Sequence, residues 1–453
     1  MKRHVTVVVA CAATTLFAVT ACAPGSAPNA PAGTSAAPSG VKTDPAGMGQ
    51  VTLTVWDQEV RGGGKAQVDR LNAQFQAKYP NITIKRTSKS FDDLVKTVRL
   101  GLSGANAPDV VQINNTRADM GSYVAKKQLV ALDPWMQAYG WDKRYPASIR
   151  AVTSYSEDGK VFGEGNLYGL PQVGEVVGVY VNTKKLAALG VPMPKTWADF
   201  TAALATAKAK NEVPLVLGNV DKWPAVHVFG VVQGQFVKAA DIRTLGFGNK
   251  GASWKTPENA KAFSTLAEWA DKGYFSPGFN GQGYDPAWQA FGKGTGVFLI
   301  AGTWLQADLS KALGSDVTFM LPPPNESGQV VTTGASGQPW TITASSKNPD
   351  AAAAYINFLT TPEAMKIIAE TENLPVVDTG QQKAPNKLGQ DVFSAFDQVT
   401  TKDGLVPYLD WATPTMSDTI GAALQDLLAK KATPEQTADT LEKDYAAFVA
   451  KNG

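Results

Sequence analysis

The sequence predicts an α/β protein in two lobes, and three observations carry that prediction. Strand-like and helix-like stretches alternate three times between residues 51 and 115, the order that builds a parallel or mixed sheet with helices on both faces. Val176, Val177, Val179 and Val181 form a near-continuous β-branched run, which reads as a strand buried on both faces. Just before it, Gly169, Pro171 and Gly174 break regular structure, and Glu175 puts a carboxylate where a core would exclude one. A hinge opening onto a cleft accounts for both features, so the chain is expected to pass here from one lobe to the other.

Before the folded part comes a leader. Residues 1–21 start with Lys2, Arg3 and His4 and continue through an apolar stretch over 5–19, which predicts a signal peptide too short and wrongly flanked for a spanning helix. Val19, Thr20, Ala21 and Cys22 resemble a bacterial lipobox, implying an acylated Cys22; a soluble secreted chain cut near Ala21 is the alternative. Cys11 leaves with the leader, so the mature chain has one Cys and no disulfide. Residues 22–50 are mostly Pro, Gly, Ala and Ser and bury too little to order, predicting a flexible tether that spans roughly 30 Å. The remainder of the 453 residues is long enough for two or three domains. No later apolar run approaches the roughly 18 residues of a membrane span. Removing Lys2 and Arg3 leaves 40 basic against 40 acidic residues, without the basic excess of a nucleic-acid binder.

In chain order, residues 51–55 read as a strand that runs into Trp56, Asp57 and Gln58, at the C-terminal end where open sheets bind ligands. Val68, Leu71, Phe75 and Tyr79 mark a helix stopped by Pro80. Residues 82–86 read as the second strand, Ser90 and Asp93 open a helix carrying Leu94, Val98 and Leu102, and 108–115 read as a third strand ending at Asn114 and Asn115. Beyond the hinge, Thr196 caps a helix with Asp199 three residues on. Residues 214–218 read as a strand leading to Asn219 and Trp223, and 291–304 as a loop, a buried strand and a Gly-rich turn bearing Trp304. Thr256, Thr361 and Thr433 each precede Pro-Glu, giving three independent helix starts.

Leu170-Pro171, Tyr180-Val181-Asn182 and Pro194-Lys195-Thr196-Trp197-Ala198-Asp199-Phe200 stand in the order and spacing of one family. In them the chain closely resembles extracellular solute-binding proteins of carbohydrate ATP-binding-cassette transporters, the maltose-binding-protein-like family 1. The resemblance covers roughly 51–448, departs in the loops 246–254 and 322–337, and is specific for the family rather than for the sugar. It implies a two-lobed periplasmic-binding-protein-like fold of type II, each lobe a mixed sheet flanked by helices. Three crossings are implied, the last two near 333–345 and 373–377, with 51–172 plus 338–373 in lobe 1 and 173–337 plus 374–453 in lobe 2. It also implies sugar binding and delivery to a membrane permease by a lipid-anchored monomer on the extracellular face of the cell membrane. Transport energy would come from a separate ATPase, since this chain has no Gly-x-x-x-x-Gly-Lys-(Ser/Thr) loop.

Sugars call for flat aromatic faces against C–H surfaces and for planar polar groups against paired hydroxyls. Of eleven Trp residues, Trp135, Trp197, Trp269 and Trp288 fall in or beside helical patterns and are expected in the core. Trp56, Trp223, Trp304, Trp340 and Trp411 sit at strand or loop ends where members of the family bind ligand, with about half of them expected to pack instead. Several Trp candidates favour an oligosaccharide of two or more rings, with plant-derived or β-linked chains foremost. The polar candidates are Asp57, Gln58, Asn114, Asn115, Glu175, Asn219 and Asp410. Asp57 reads equally well as a turn or cap residue. Glu175 requires a partner, either a hydroxyl-rich ligand or an Arg. Arg61 is a weaker candidate, which also reads as a solvated loop charge. The pattern Gly246-x-Gly248-x-x-Gly251 lacks a following helix and reads as a turn-rich loop. His227 is the only His after the leader, so no metal site, cofactor site or Cys–His pair is expected. Two rival readings remain: an exported glycoside hydrolase using two carboxylates, or the same fold holding a polyamine, metal or peptide. A polyamine needs several acids among aromatics, which these candidates do not clearly supply.

Overall fold

Strand β6, Gly174–Asn182, is the axis of the larger of two sheets. The computed structural model describes residues 40–104 and 106–452; the expected signal peptide, Cys22 and residues 22–39 lie outside the described residues. Eight of the nine residues of β6 are buried, the exception being Glu175. Val177, Val179 and Val181 pack into one core cluster and Val176 into another, so both faces of the strand are covered. One edge is antiparallel to β8, Phe298–Gly302; the other pairs first with β10, Thr332–Ser336, and then with β9, Val317–Met320. Two short strands complete the sheet, β7, Leu215–Val216, beside β8 and β12, Leu405–Val406, beside β10.

The first sheet is smaller. Its central strands are β1, Val51–Asp57, and β3, Val110–Gln112; β2, Ile82–Ser88, runs parallel on the edge of β1, and β11, Trp340–Ile342, antiparallel on the edge of β3. Leu53, Val55, Leu71, Phe75, Ile342 and Tyr355 are fully buried in one cluster between this sheet and the helices Gly62–Lys78 and Pro349–Leu359. A separate antiparallel pair, β4, Ser154–Tyr155, and β5, Asn166–Leu167, lies before the hinge.

Capping follows the expected chemistry. The side chains of Ser90, Thr196, Thr256 and Thr361 accept from the backbone three residues on, and Thr196 with Asp199 forms a full capping box. Thr433 accepts from the Gln436 amide in the same way. The ordered body begins earlier than residue 51: Asp44 caps a single turn, Pro45–Met48, and the Asn81 amide donates to the Pro45 and Gly49 carbonyls at 2.9 and 2.8 Å. Pro45 is buried and Val41 and Met48 pack on the first-lobe core, so the last residues of 22–50 join the body.

Three segments connect the sheets side by side. Leu170 and Trp340 exchange backbone hydrogen bonds of 3.0 Å, the Gly174 amide donates to the Leu374 carbonyl at 2.8 Å, and the Gly337 amide donates to the Val173 carbonyl at 3.0 Å. This three-stranded seam is the floor on which the cleft rests. The parallel strands β1 and β3 point their C-terminal ends at it, and β6 starts there while the antiparallel β8 ends there, which gathers loop side chains from both sheets around one space.

Candidate functional site

A cavity lies between the lobes over the crossing segments. From the first lobe it is lined by Gln58, Glu59, Arg61, Phe91, Asn114 and Asn115, from the second by Trp223, Val226, His227, Thr303, Trp304, Tyr408, Asp410 and Trp411, and from the crossings by Glu175, Ser336, Gln338, Asn373 and Leu374, among others.

The first-lobe wall is built on Gln112, the last residue of β3 and 1% exposed. Its carbonyl accepts from the Gln58 backbone at 3.0 Å and its amide donates to Glu59 Oε1 at 3.0 Å. The other Glu59 oxygen lies over the first turn of the helix Gly62–Lys78; a Cβ on Gly64 would meet it at 2.1 Å. The Gly-rich start therefore admits a carboxylate to the helix N-terminus, where the macrodipole favours it. Burial still raises Glu59 above the usual carboxylate range. Arg61 stands at the rim, 2.8 Å from Asp285 of the second lobe and 5.8 Å from the centre of the Tyr284 ring. Its Nε is buried without a partner. It is thus a cleft residue and not a solvated loop charge.

The second-lobe wall is aromatic. Trp304 follows Gly302 so closely that a Cβ there would sit 1.9 Å from the indole, so only glycine lets the ring fold back into this position. The Trp304 Nε1 donates to the Tyr284 hydroxyl at 2.6 Å, which fixes the plane of the indole. Trp223 begins the helix Trp223–Gln233 with its ring 4.4 Å from Tyr284 and 6.1 Å, edge-on, from Phe91 across the cleft. His227 lies between Trp304 and Tyr408, at 5.4 and 5.1 Å. Desolvation pulls its imidazole down to about 3, so it stands neutral, with Nδ1 unpartnered. Tyr408 continues to Trp411 at 5.2 Å.

Two carboxylates line the same cavity. Glu175 accepts one hydrogen bond, 3.2 Å from the Tyr408 hydroxyl; burial pushes it up to about 7 against that bond. Asp410 lies in the turn Leu409–Trp411, and burial pushes it up to about 6. Ser336 and Gln338 are 2% and 6% exposed, and the serine hydroxyl and both amide atoms of the glutamine have no hydrogen-bond partner. Buried polar groups normally find partners, so these are groups prepared for something that enters.

Of the residues expected at the site, Gln58, Asn114, Asn115, Glu175, Trp223, Trp304, Asp410 and Trp411 line the cavity. Within that set Asn115 is largely structural, its amide donating to the Val152 carbonyl at 2.6 Å and its carbonyl accepting from Tyr155. Four lie elsewhere. Asp57 is fully buried and ion-paired with Arg86 at 2.6 Å. Asn219 is fully buried; its carbonyl accepts from the Ala225 amide and its side-chain amide donates to Asn280, pinning the start of the Trp223 helix. Trp340 is fully buried in the first-lobe core, 6.1 Å from Tyr355. Trp56 turns onto the helix Phe91–Gly101, where a Cβ on Gly101 would meet it at 2.8 Å. Glu59, Phe91, Ser336, Gln338 and Tyr408 went unnoticed in the sequence, and His227 was weighed there only as a metal or catalytic residue. Glu59, Gln338 and Tyr408 sat one or two residues from named candidates; Phe91 and Ser336 carried no local signal.

Residues 61–366, more than half of the chain, match the family model described as bacterial extracellular solute-binding protein. A multiple sugar-binding protein of Streptococcus mutans is 24% identical over 336 residues, 71% of this chain and 74% of its own length. Among solved structures, a chitin oligosaccharide binding protein superposes with a TM-score of 0.75 at 22% identity, over 88% of this chain and 99% of that one. An ABC substrate-binding protein of Listeria monocytogenes in complex with cycloalternan superposes with a TM-score of 0.70 at 18% identity, over 88% of this chain and 99% of that one. With the two-lobed fold and the family match over residues 61–366, the chain belongs to the bacterial extracellular solute-binding protein family.

Proposed function

We propose that this protein binds a sugar in the cleft and delivers it to an ABC-type permease, with no reaction of its own. One observation carries the reading: Trp223, Trp304, Tyr408 and Trp411 line one cavity together with Glu175, Asp410, Gln338 and Asn114. Indole faces suit the C–H surface of a pyranose, and the acceptors and amides suit its hydroxyls. The sugar-binding relatives support it, as does the ABC transporter extracellular-binding protein of Pyrococcus horikoshii, 24% identical over 69% of this chain. The length of the aromatic wall favours an oligosaccharide. Residues 51–172 with 338–373, and 173–337 with 374–453, form the lobes that close on it, and closure is stabilised only by the ligand's differential affinity for the closed arrangement. Acylated Cys22 anchors the monomer at the extracellular face of the cell membrane; Cys22→Ser is expected in the medium with unchanged affinity, and membrane retention of that variant rejects the anchor.

The test is thermal melting of the protein against a sugar panel. A ligand at a hundred times its dissociation constant adds about 2.7 kcal/mol. A panel in which no sugar raises the melting temperature rejects the reading. Cleavage of any panel member on incubation favours a hydrolase instead.

A further inference from the structure

Charge is unevenly distributed in the cleft. Glu175 and Asp410 both line it, and neither has an ion-pair partner among the described residues. The only hydrogen bond to the Glu175 carboxylate comes from a neutral phenol. Among the described residues the one cation at the cavity wall is Arg61, and its guanidinium is engaged by Asp285 on the far side of the rim at 2.8 Å. His227 carries no charge at neutral pH. Glu59, the third acid, is already served by Gln112 and by the helix N-terminus beside it.

We infer that the cleft sorts sugars by charge, holding one that bears a basic amine more tightly than its neutral parent and turning away its carboxylated counterpart. This rests on the reading of the cleft as a sugar site. The acids alone would not make a site, but Ser336 and Gln338 border the same cavity, at least nine-tenths buried and with their polar side-chain atoms unpartnered. A hydroxyl-bearing ring satisfies those atoms, and an ammonium on that ring meets a carboxylate of the same cavity.

The reasons are elementary. An ionised carboxylate taken out of water is costly unless a cation meets it, and charge-assisted hydrogen bonds are roughly twice as strong as neutral ones. The rings of Trp304, Tyr408 and Trp411 add faces that attract a cation and repel an anion. Burial holds both carboxyls above their usual range, and for Glu175 the charge of Arg61 offsets it only in part. A uronate would bring another negative charge to a wall whose one cation among the described residues, Arg61, is already paired with Asp285.

Titration calorimetry at neutral pH tests this with matched sets of gluco-, galacto- and manno-configured sugars, as monomers and dimers. Each set contains the 2-amino sugar, the neutral sugar and the uronate. In at least one set the amino sugar should bind tenfold or more tightly than the neutral sugar, with no measurable uronate binding. Glu175→Gln and Asp410→Asn should each reduce that preference to threefold or less, while the ligand-free melting curves show the variants folded. Should neutral sugars bind and no amino sugar exceed its parent, the inference fails and the sugar reading stands. Uronate binding equal to that of the neutral sugar overturns it likewise. Binding of no sugar of any charge overturns the sugar reading itself.

Discussion

Asp57 closes β1 and Glu175 opens β6, each a carboxylate at a strand end that points toward the seam between the lobes, and the fold treats them oppositely. Arg86, on the neighbouring strand, donates to both Asp57 oxygens at 2.6 and 2.8 Å and to the Glu59 carbonyl at 2.9 Å. Asp57 also accepts from the Glu59 backbone, and with three hydrogen bonds and no exposed surface it is closed to a ligand. Glu175 meets only Tyr408 and stays partly accessible from the cavity. A strand end at the mouth of a sheet is thus a necessary address for a ligand group and not a sufficient one. What decides is whether the adjacent strand supplies a counter-charge.

The largest expected effect comes from breaking the first of these. Asp57→Ala leaves Arg86, whose side chain is 13% exposed, without its buried partner, and removing one member of such a pair costs about 3–5 kcal/mol. Chemical denaturation of the ligand-free protein should show that loss, while the sugar affinity of the folded fraction stays within threefold of the parent. A large affinity loss with an unchanged denaturation midpoint would return Asp57 to the site.

The same contrast divides the indoles. Trp340 is fully buried in the first-lobe core, and truncating it should cost about 3–5 kcal/mol of stability. Trp304 presents its ring to the cavity; Trp304→Ala should cost roughly 1–3 kcal/mol in sugar binding, about ten- to a hundredfold in affinity. Paired calorimetry and melting on both variants sharpen the comparison. If Trp304→Ala melts far below the parent and binds as tightly, the ring is a packing residue.

Glu175 has a further consequence for pH. Its folded carboxyl stands near 7 against an ordinary value of 4.5, so between these values the native state holds a proton that the unfolded chain has lost. Stability then falls as pH rises through that window. Asp410 acts in the same direction between 3.8 and about 6. Glu175→Gln removes the first contribution. Ligand-free melting from pH 4 to 8 should show the variant level with the parent at the acid end and above it at pH 8. A parent that gains on the variant as pH rises would mean that Glu175 is ionised and partnered in the empty cleft.

How much was legible in the sequence follows from the range of each signal. Caps at Ser90, Thr196, Thr256, Thr361 and Thr433 act over three residues, and β6 declares itself by composition, so the elements and the hinge could be read directly. The cleft itself is assembled by contacts far apart in the chain. Tyr408 reaches Glu175 across 233 positions and Arg61 reaches Asp285 across 224. No local pattern announces such a pair. Asp57 failed as a candidate for the same reason: Arg86 lies 29 residues away, and only the parallel register of β1 with β2 brings them together. Trp340 sat at a strand end in sequence, yet that strand lies in the crossing and faces the core.

The smallest expected effect concerns the ion pair that, among the described residues, spans the rim. Arg61 and Asp285 have side chains 26% and 52% exposed, and pairs of this kind are worth about 0.2–1 kcal/mol. Because the two residues come from opposite lobes, that energy acts on the equilibrium between open and closed arrangements, and the apparent affinity scales with the closed fraction. Asp285→Asn should therefore weaken binding of the best sugar by up to about fivefold, and high salt should shrink the difference by screening the pair. The substitution also frees a guanidinium beside Glu59 in the cleft, so the rejection of uronates should soften in this variant and not in the parent. Equal affinities of variant and parent at low salt would show that the pair does not hold the lobes together, and the discrimination by charge would then have to stand on Glu175 and Asp410 alone.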